Sequence, residues 1–220
     1  GRDELVHMID AITTNKTDFF RESRHFKFLV DKLLPEYLSR QDEGHRSPIC
    51  LWSAGCSTGE EAYTLSMVLA GFGERQAGSH FDFTILATDI SSQVLEIARR
   101  GIYAEERIAP VPEDLRLKYV LRSRDRTRGE VRIAPEIRSR VTFRRLNLME
   151  REPGLRASVD VVFCRNVLIY FTRKTQEEIV NSFFNYLRPG GYLFVGHSET
   201  LTGLSTPFRL IQPTVYRAGS

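Results

Sequence analysis

The spacing of apolar residues changes character near residue 45. Before it, apolar positions recur with the 3.6-residue period of amphipathic helices. Leu5, Met8, Ile9 and Ile12 mark one helix over Asp3–Ile12. Phe19, Phe20, Phe26, Leu29, Val30, Leu33 and Leu34 mark a second after Thr17, and Pro35 predicts a break or kink in it. Gln41–Pro48 is a polar loop. Beyond it, short apolar runs alternate with helical patterns. Ile49–Ser53 predicts a strand, and Ala62, Leu65, Val68, Leu69 and Phe72 predict a helix. Phe81–Ala87 is a second strand closed by Asp89. Gln93–Arg100 is a helix capped by Ser91 or Ser92, with Val94, Leu95 and Ile97 inward. Val141–Leu148 alternates less cleanly, and Val159–Cys164 has the continuous apolar character of a buried strand. Thr175 and Glu178 form a capping box before Ile179, Val180, Phe183, Phe184 and Leu187, a helix that Pro189-Gly190-Gly191 stops. Tyr192–Val195 is a strand, and Phe208–Ile211 with Thr214–Arg217 reads as a closing hairpin.

Strands alternating with helices predict an α/β domain around a mainly parallel sheet, modified by the final hairpin. A polar turn ending at Gly129, flanked by Tyr119–Leu121 and Val131–Ile133, predicts a small β excursion inserted before Val141. At 220 residues the chain is one domain with room for one appendage. Its longest apolar runs, such as Val167–Phe171, are far short of the ~18 residues of a membrane span. Cys50, Cys56 and Cys164 show no paired spacing, so neither structural zinc nor a disulfide framework is expected, and a reducing cytoplasm fits. The net charge of +3 is unevenly spread. Arg116–Arg145 holds eleven basic residues against three acids, a net +8, which leaves −5 on the rest. Such a field favours an acidic partner, although a solvated arginine-rich surface has the same composition.

Four strings are candidates for chemistry. Ser53-Ala54-Gly55-Cys56-Ser57-Thr58-Gly59-Glu60-Glu61 is a glycine turn between the first strand and its helix. It lacks the G-x-G-x-x-G and P-loop patterns. Its two acids would repel a phosphate at the helix start, so a ligand carrying positive charge suits it better, while a plain structural turn suits it equally. Asp89 ends the second strand, where doubly wound folds place a carboxylate facing ribose hydroxyls; a helix-capping role is the alternative. Phe163-Cys164-Arg165-Asn166-Val167-Leu168-Ile169-Tyr170-Phe171 puts Arg165, Asn166 and Tyr170 at a strand's carboxyl end, where open α/β sheets bind ligands. Thr13-Thr14-Asn15-Lys16-Thr17-Asp18-Phe19-Phe20-Arg21 is, from its residues alone, a polar N-cap entering an aromatic helix. The five histidines form no H-E-x-x-H motif, there is no G-x-S-x-G elbow, and no metal site is expected.

Together these strings resemble the CheR family of chemotaxis receptor methyltransferases. Thr13–Glu22, Trp52–Glu61, Ala87-Thr88-Asp89-Ile90, Phe163–Phe171 and Gly196-His197-Ser198-Glu199 carry the resemblance over nearly the whole chain. It implies an S-adenosylmethionine-dependent, Rossmann-like fold with a seven-stranded, mainly parallel sheet and a small inserted antiparallel β-subdomain at about 111–140. It also implies that residues 1–15 are the last helix and linker of an N-terminal helical domain, with the methyltransferase domain at 16–220. The implied activity is O-methylation of glutamate side chains on the cytoplasmic helical bundle of a chemoreceptor, yielding methyl esters and S-adenosylhomocysteine. A cytoplasmic monomer that neither inserts into membranes nor binds nucleic acid is expected.

By the same resemblance Asn15, Thr17 and Arg21 line the cofactor entrance, and Glu60 meets the cofactor's amino group. Asp89 holds the ribose and Asn147 and Leu148 border the adenine. Arg165 and Asn166 lie at the methionine end. Arg21 and Tyr170 orient the substrate as the catalytic pair. Family members that grip a receptor's C-terminal tether have a glycine-rich β-subdomain loop. Here Ser123–Gly129 has one glycine, so methylation independent of a tether is expected. A glutamate with pKa near ~4.3 is already nucleophilic at pH 7, so no general base is needed. Two rival readings remain. A nucleic-acid methyltransferase would use the basic stretch, but only Tyr119 and Phe143 could stack bases there, and the N-P-P-Y motif is absent. A catalytically silent signalling module would not need the intact Arg21, Glu60, Asp89 and Tyr170.

Overall fold

The computed structural model describes residues 17–42, 47–76, 81–150 and 158–219. The expected Asp3–Ile12 helix and Asn15 lie outside them. The main sheet contains β1 (Ile49–Ala54), β2 (Phe83–Asp89), β6 (Val141–Arg145), β7 (Val159–Cys164), β8 (Leu187–Val195), β9 (Phe208–Gln212) and β10 (Val215–Ala218). Its order is β6-β2-β1-β7-β8-β10-β9. The first five are joined in parallel, and the β9–β10 hairpin adds to β8 antiparallel, as the sequence predicts.

A second sheet, of three strands, pairs β5 (Glu130–Ile133) antiparallel to both β3 (Ile102–Ala104) and β4 (Val120–Arg122). It is the expected excursion, but it begins earlier than residue 111. β3 is three residues long, too short to show a period in the sequence.

Helices cover both faces of the main sheet. The N-terminal helical stretch comprises α1 (Arg24–Phe28), a π-turn (Leu29–Leu33) and α2 (Leu34–Asp42). Pro35 does not break it. The wider π-turn directly before the proline accommodates the hydrogen bond that a proline nitrogen cannot donate. With α3 (Glu60–Arg75), these elements bury one face: Leu29, Leu34, Leu51, Leu65, Leu69, Phe163 and Phe194 share a core. Across the sheet, α7 (Arg173–Tyr186) packs Ile179, Val180 and Phe183 against Trp52, Val162 and Leu193. The insert, which carries α5 (Glu113–Tyr119) and α6 (Pro135–Arg138), builds a third core with α3, through Tyr63, Met67, Tyr103, Tyr119 and Ile133.

Three local expectations are corrected. The N-cap of α7 is Thr172, whose side chain accepts from the Thr175 backbone N–H, so the helix starts a turn earlier than a Thr175–Glu178 box implies. In α4 (Ser92–Arg100), Val94, Leu95 and Ala98 are buried, while Ile97 is 42% exposed on the outer face. Pro189-Gly190-Gly191 lies inside β8, because the strand starts directly after α7 and absorbs the three residues at a register shift against β7.

Candidate functional site

The strand order reverses between β1 and β7, and the candidate residues gather at the carboxyl ends around that point. After β1 the chain must turn sharply into α3. Gly55, Ser57 and Gly59 take left-handed backbone with φ of 79°, 49° and 97°. A side chain at Gly55 would collide with Val167 Cγ2, and one at Gly59 would meet the Ala98 Cβ at 2.9 Å. The loop is pinned to β2 by bonds from Gly55 N and Cys56 N to the Thr88 carbonyl, at 2.8 and 2.9 Å.

Asp89 sits across this loop. One of its oxygens accepts from Ser57 N at 2.8 Å, and the other from Ser91 N at 3.0 Å. These two amides fix the position of the carboxylate. Asn147 follows β6 beside it: Leu146 N donates to the Asp89 carbonyl, and the Asn147 Oδ1 accepts from Met149 N at 3.0 Å. Leu148 is half-buried next to it.

Glu60 opens α3 and is fully buried. Thr58 Oγ1 donates to its Oε2 at 2.6 Å. Its Oε1 lies 2.5 Å from Arg107 Nη2 in an ionic contact whose geometry makes no hydrogen bond, and the same nitrogen donates to the Thr17 carbonyl at 2.8 Å. Burial pushes the Glu60 carboxyl up, opposed by the Thr58 hydroxyl and by Arg107. A buried carboxylate oxygen short of a donor fits a ligand's ammonium, the group expected at this position.

At the end of β7, Arg165 is buried and its fork is committed. Nε lies 3.2 Å from Glu22 Oε2, Nη1 lies 3.3 Å from Glu61 Oε2, and Nη2 donates to the Arg21 carbonyl at 2.5 Å. Its side chain therefore braces the site, while Asn166 next to it is half-buried. Asn166 has φ 60°, and Asn166 N donates to Glu199 Oε2 at 2.9 Å. Glu199 also accepts from Gly196 N at 2.5 Å and Ile169 N at 3.3 Å, so one carboxylate gathers three backbone donors. Tyr170 stands 45% exposed on a 3₁₀ turn, Leu168–Tyr170.

The N-terminal loop closes the other side. Phe19 is buried edge-on to Tyr103, with ring centroids 5.1 Å apart. Phe20 and Glu22 are both left-handed, at φ 55° and 58°, a conformation that costs a residue with a Cβ about 1–2 kcal/mol. Thr17 and Arg21 are half-buried there. Thr17, Arg21, Glu60, Asp89, Asn147, Leu148, Arg165, Asn166 and Tyr170 thus fall on the loops at one end of the sheet. Sequence reasoning missed Arg107, which reaches in from the insert, and the anchoring roles of Glu22 and Glu199. The last two lay inside the quoted strings Thr13–Glu22 and Gly196–Glu199.

The chain matches the family model for the CheR methyltransferase, S-adenosylmethionine-binding domain, over residues 15–217. It is 42% identical over 217 residues to a chemotaxis protein methyltransferase of Borreliella burgdorferi, spanning 99% of this chain and 75% of that protein. Against chemotaxis protein methyltransferase 2 of Pseudomonas aeruginosa it is 39% identical over 210 residues, 94% of this chain and 71% of that one. Against the chemotaxis protein methyltransferase of Escherichia coli it is 38% identical over 213 residues, 97% and 70% respectively.

Proposed function

Because this chain belongs to the CheR methyltransferase family, we propose that it transfers a methyl group from S-adenosylmethionine to glutamate side chains on a chemoreceptor's helical bundle. Bound S-adenosylmethionine supplies an electrophilic methyl on a sulfonium. The observation that carries the reading is the pairing of two carboxylates about one glycine loop. Asp89 is fixed by two backbone amides, and Glu60 is buried with an oxygen short of a donor. The first suits a diol and the second an ammonium, the two polar features that flank the methyl donor.

The chain's own residues then position. Glu60 binds the amino group and Asp89 the ribose; Asn147 and Leu148 border the base. Thr17 and the Asn166 loop flank the methionine end, with Asn15 assigned to the same entrance. Arg21 and Tyr170 orient the incoming carboxylate, which is ionised at neutral pH and attacks without a base. The methyltransferase domain is assigned to residues 16–220.

The insert is the surface offered to the receptor. Lys118, Arg122 and Arg140 pair with Glu74, Glu105 and Asp82 outside the basic stretch, and Arg124 and Arg128 stand exposed on the loop. Docking of an acidic bundle here accelerates association and weakens with salt. In this reading the protein acts as a cytoplasmic monomer, without a tether peptide. Separately, no helix of the described residues is long and apolar enough to cross a membrane. Transfer of radiolabelled methyl to a receptor cytoplasmic fragment tests the reading. Glutamate methyl esters release methanol in mild alkali, whereas label on RNA, or label stable to alkali, overturns it.

A further inference from the structure

Glu22, His25 and His197 bring three ligand-type atoms within 4.8 Å of one another, under the loop that carries Arg21. The cluster has the composition of a metal site, but its cation is already built in: Arg165 lies 3.2 Å from Glu22 Oε2. The hydrogen bonds define the rest. His25 Nε2 and Thr214 Oγ1 lie 2.7 Å apart, and the buried His25 Nδ1 lies 3.5 Å from Glu22 Oε2 without a hydrogen bond. The other Glu22 oxygen accepts from His197 N at 3.2 Å. Glu22 therefore joins the N-terminal loop to two strand ends, through Arg165 after β7 and His197 after β8. It does so from a left-handed backbone that a free loop would not hold, and Phe20 two residues earlier shares that conformation.

We propose that Glu22 is the positioning residue of the methyl-transfer site: clamped between the Arg165 guanidinium and the His197 amide, it holds the Phe20–Glu22 loop in the conformation that presents Arg21 to the incoming carboxylate. The inference rests on the substrate-orienting role proposed for Arg21. Arg165 contributes from both sides, because the same fork that grips Glu22 also bonds the Arg21 carbonyl. In this proposal the effect of Glu22 passes through Arg21.

Steady-state methylation of a receptor fragment by the 220-residue chain tests this with Glu22→Gln, Arg21→Ala and the double variant, alongside calorimetry with S-adenosylhomocysteine. Glutamine keeps the acceptor for His197 N and removes the charge that grips Arg165. The expected result is a kcat at least tenfold lower for Glu22→Gln, with S-adenosylhomocysteine affinity within twofold of wild type. The double variant should be no more than twofold slower than Arg21→Ala, since a loop that positions an absent arginine has nothing left to lose. A merely structural role makes the two effects multiply, and that result, or a normal kcat for Glu22→Gln beside a slow Arg21→Ala, overturns the inference alone. Wild-type turnover by Arg21→Ala removes the reading of Arg21 and the inference with it. If Glu22→Gln does not fold, Arg165→Lys takes its place, since it keeps the charge but loses the fork. It should show the same non-multiplying loss with Arg21→Ala, and multiplying losses overturn the inference.

Discussion

Glu199 and Glu22, on the β7–β8 side of the glycine loop, and Glu60, on the α3 side, are treated oppositely by the fold. On the β7–β8 side, Glu199 gathers three backbone amides and Glu22 takes a guanidinium and an amide. On the α3 side, Glu60 has one hydroxyl donor, one ionic neighbour from the insert and an oxygen without a hydrogen bond. A buried polar group that is fully partnered stiffens its surroundings, and one left short of a donor stays ready for a ligand. The first set is scaffold, and the second is the one the proposed function assigns to the ligand, although all these residues are glutamates.

The largest break in this comparison comes from the scaffold side. Glu199→Ala leaves Asn166 N, Gly196 N and Ile169 N without their acceptor. At about 1–3 kcal/mol per stranded buried group, partly relaxed, urea unfolding should show a loss of about 3–5 kcal/mol. A loss below about 1 kcal/mol would mean that Glu199 is not an anchor.

Next comes acid. Burial, with Arg165 beside it, holds His25 down at about 4 against a reference of 6.5, while Glu22 pulls the other way. Between those values the unfolded chain binds a proton that the folded chain refuses. Stability from this group is therefore complete above about pH 6.5 and is lost as pH falls toward 4, by about 3 kcal/mol in total. Glu22, held low by Arg165 against its own burial, adds to the loss near and below its ordinary range, whereas Glu60 and Glu61, pushed up by burial, oppose it. Comparing wild type with His25→Gln isolates the histidine: the variant's stability should fall less steeply between pH 6.5 and 4. Identical slopes would show that His25 is not buried neutral.

The binding-site side should respond through ligand rather than stability. Glu60→Gln removes a buried charge, so unfolding should be unchanged or slightly harder, while S-adenosylhomocysteine affinity drops by about 1.5–3 kcal/mol in calorimetry. Asp89→Ala should weaken the same affinity by a similar amount. Unchanged affinity in folded protein would displace the ligand from this loop. The smallest effect belongs to the exposed insert. Arg124→Glu with Arg128→Glu should alter stability by no more than about 0.5 kcal/mol and leave cofactor affinity intact, yet slow receptor methylation at low salt. Equal rates at low salt would reduce these arginines to solubilising charge, and micromolar binding of a receptor tether peptide would contradict the tether-independent docking.

This division also explains what was legible in the sequence. Strands such as Val159–Cys164 and the period of α7 announce themselves because burial demands long apolar patterns. The glycine loop was legible because its left-handed backbone restricts residue choice, and Asp89 because it closes an apolar strand. β3, three residues long, and the N-cap at Thr172 were not, since neither leaves a periodic trace. Arg107 was invisible for a different reason. It meets Glu60 only through the folding of the insert, 47 positions away in the chain, and a lone arginine among many carries no local signal. The resemblance supplied the ligand-facing residues, but the braces behind them, Glu22 on Arg165 and Glu199 on three amides, required coordinates.

The most direct measurement supplies wild-type chain and Glu60→Gln with S-adenosylmethionine labelled on the methyl group, together with a receptor cytoplasmic fragment, and counts label released as methanol in mild alkali. The account expects alkali-labile label on the fragment with wild type, and, at a cofactor concentration below saturation, at least tenfold less with Glu60→Gln in a protein that remains folded. No alkali-labile label with wild type, or equal label with both proteins, would contradict it.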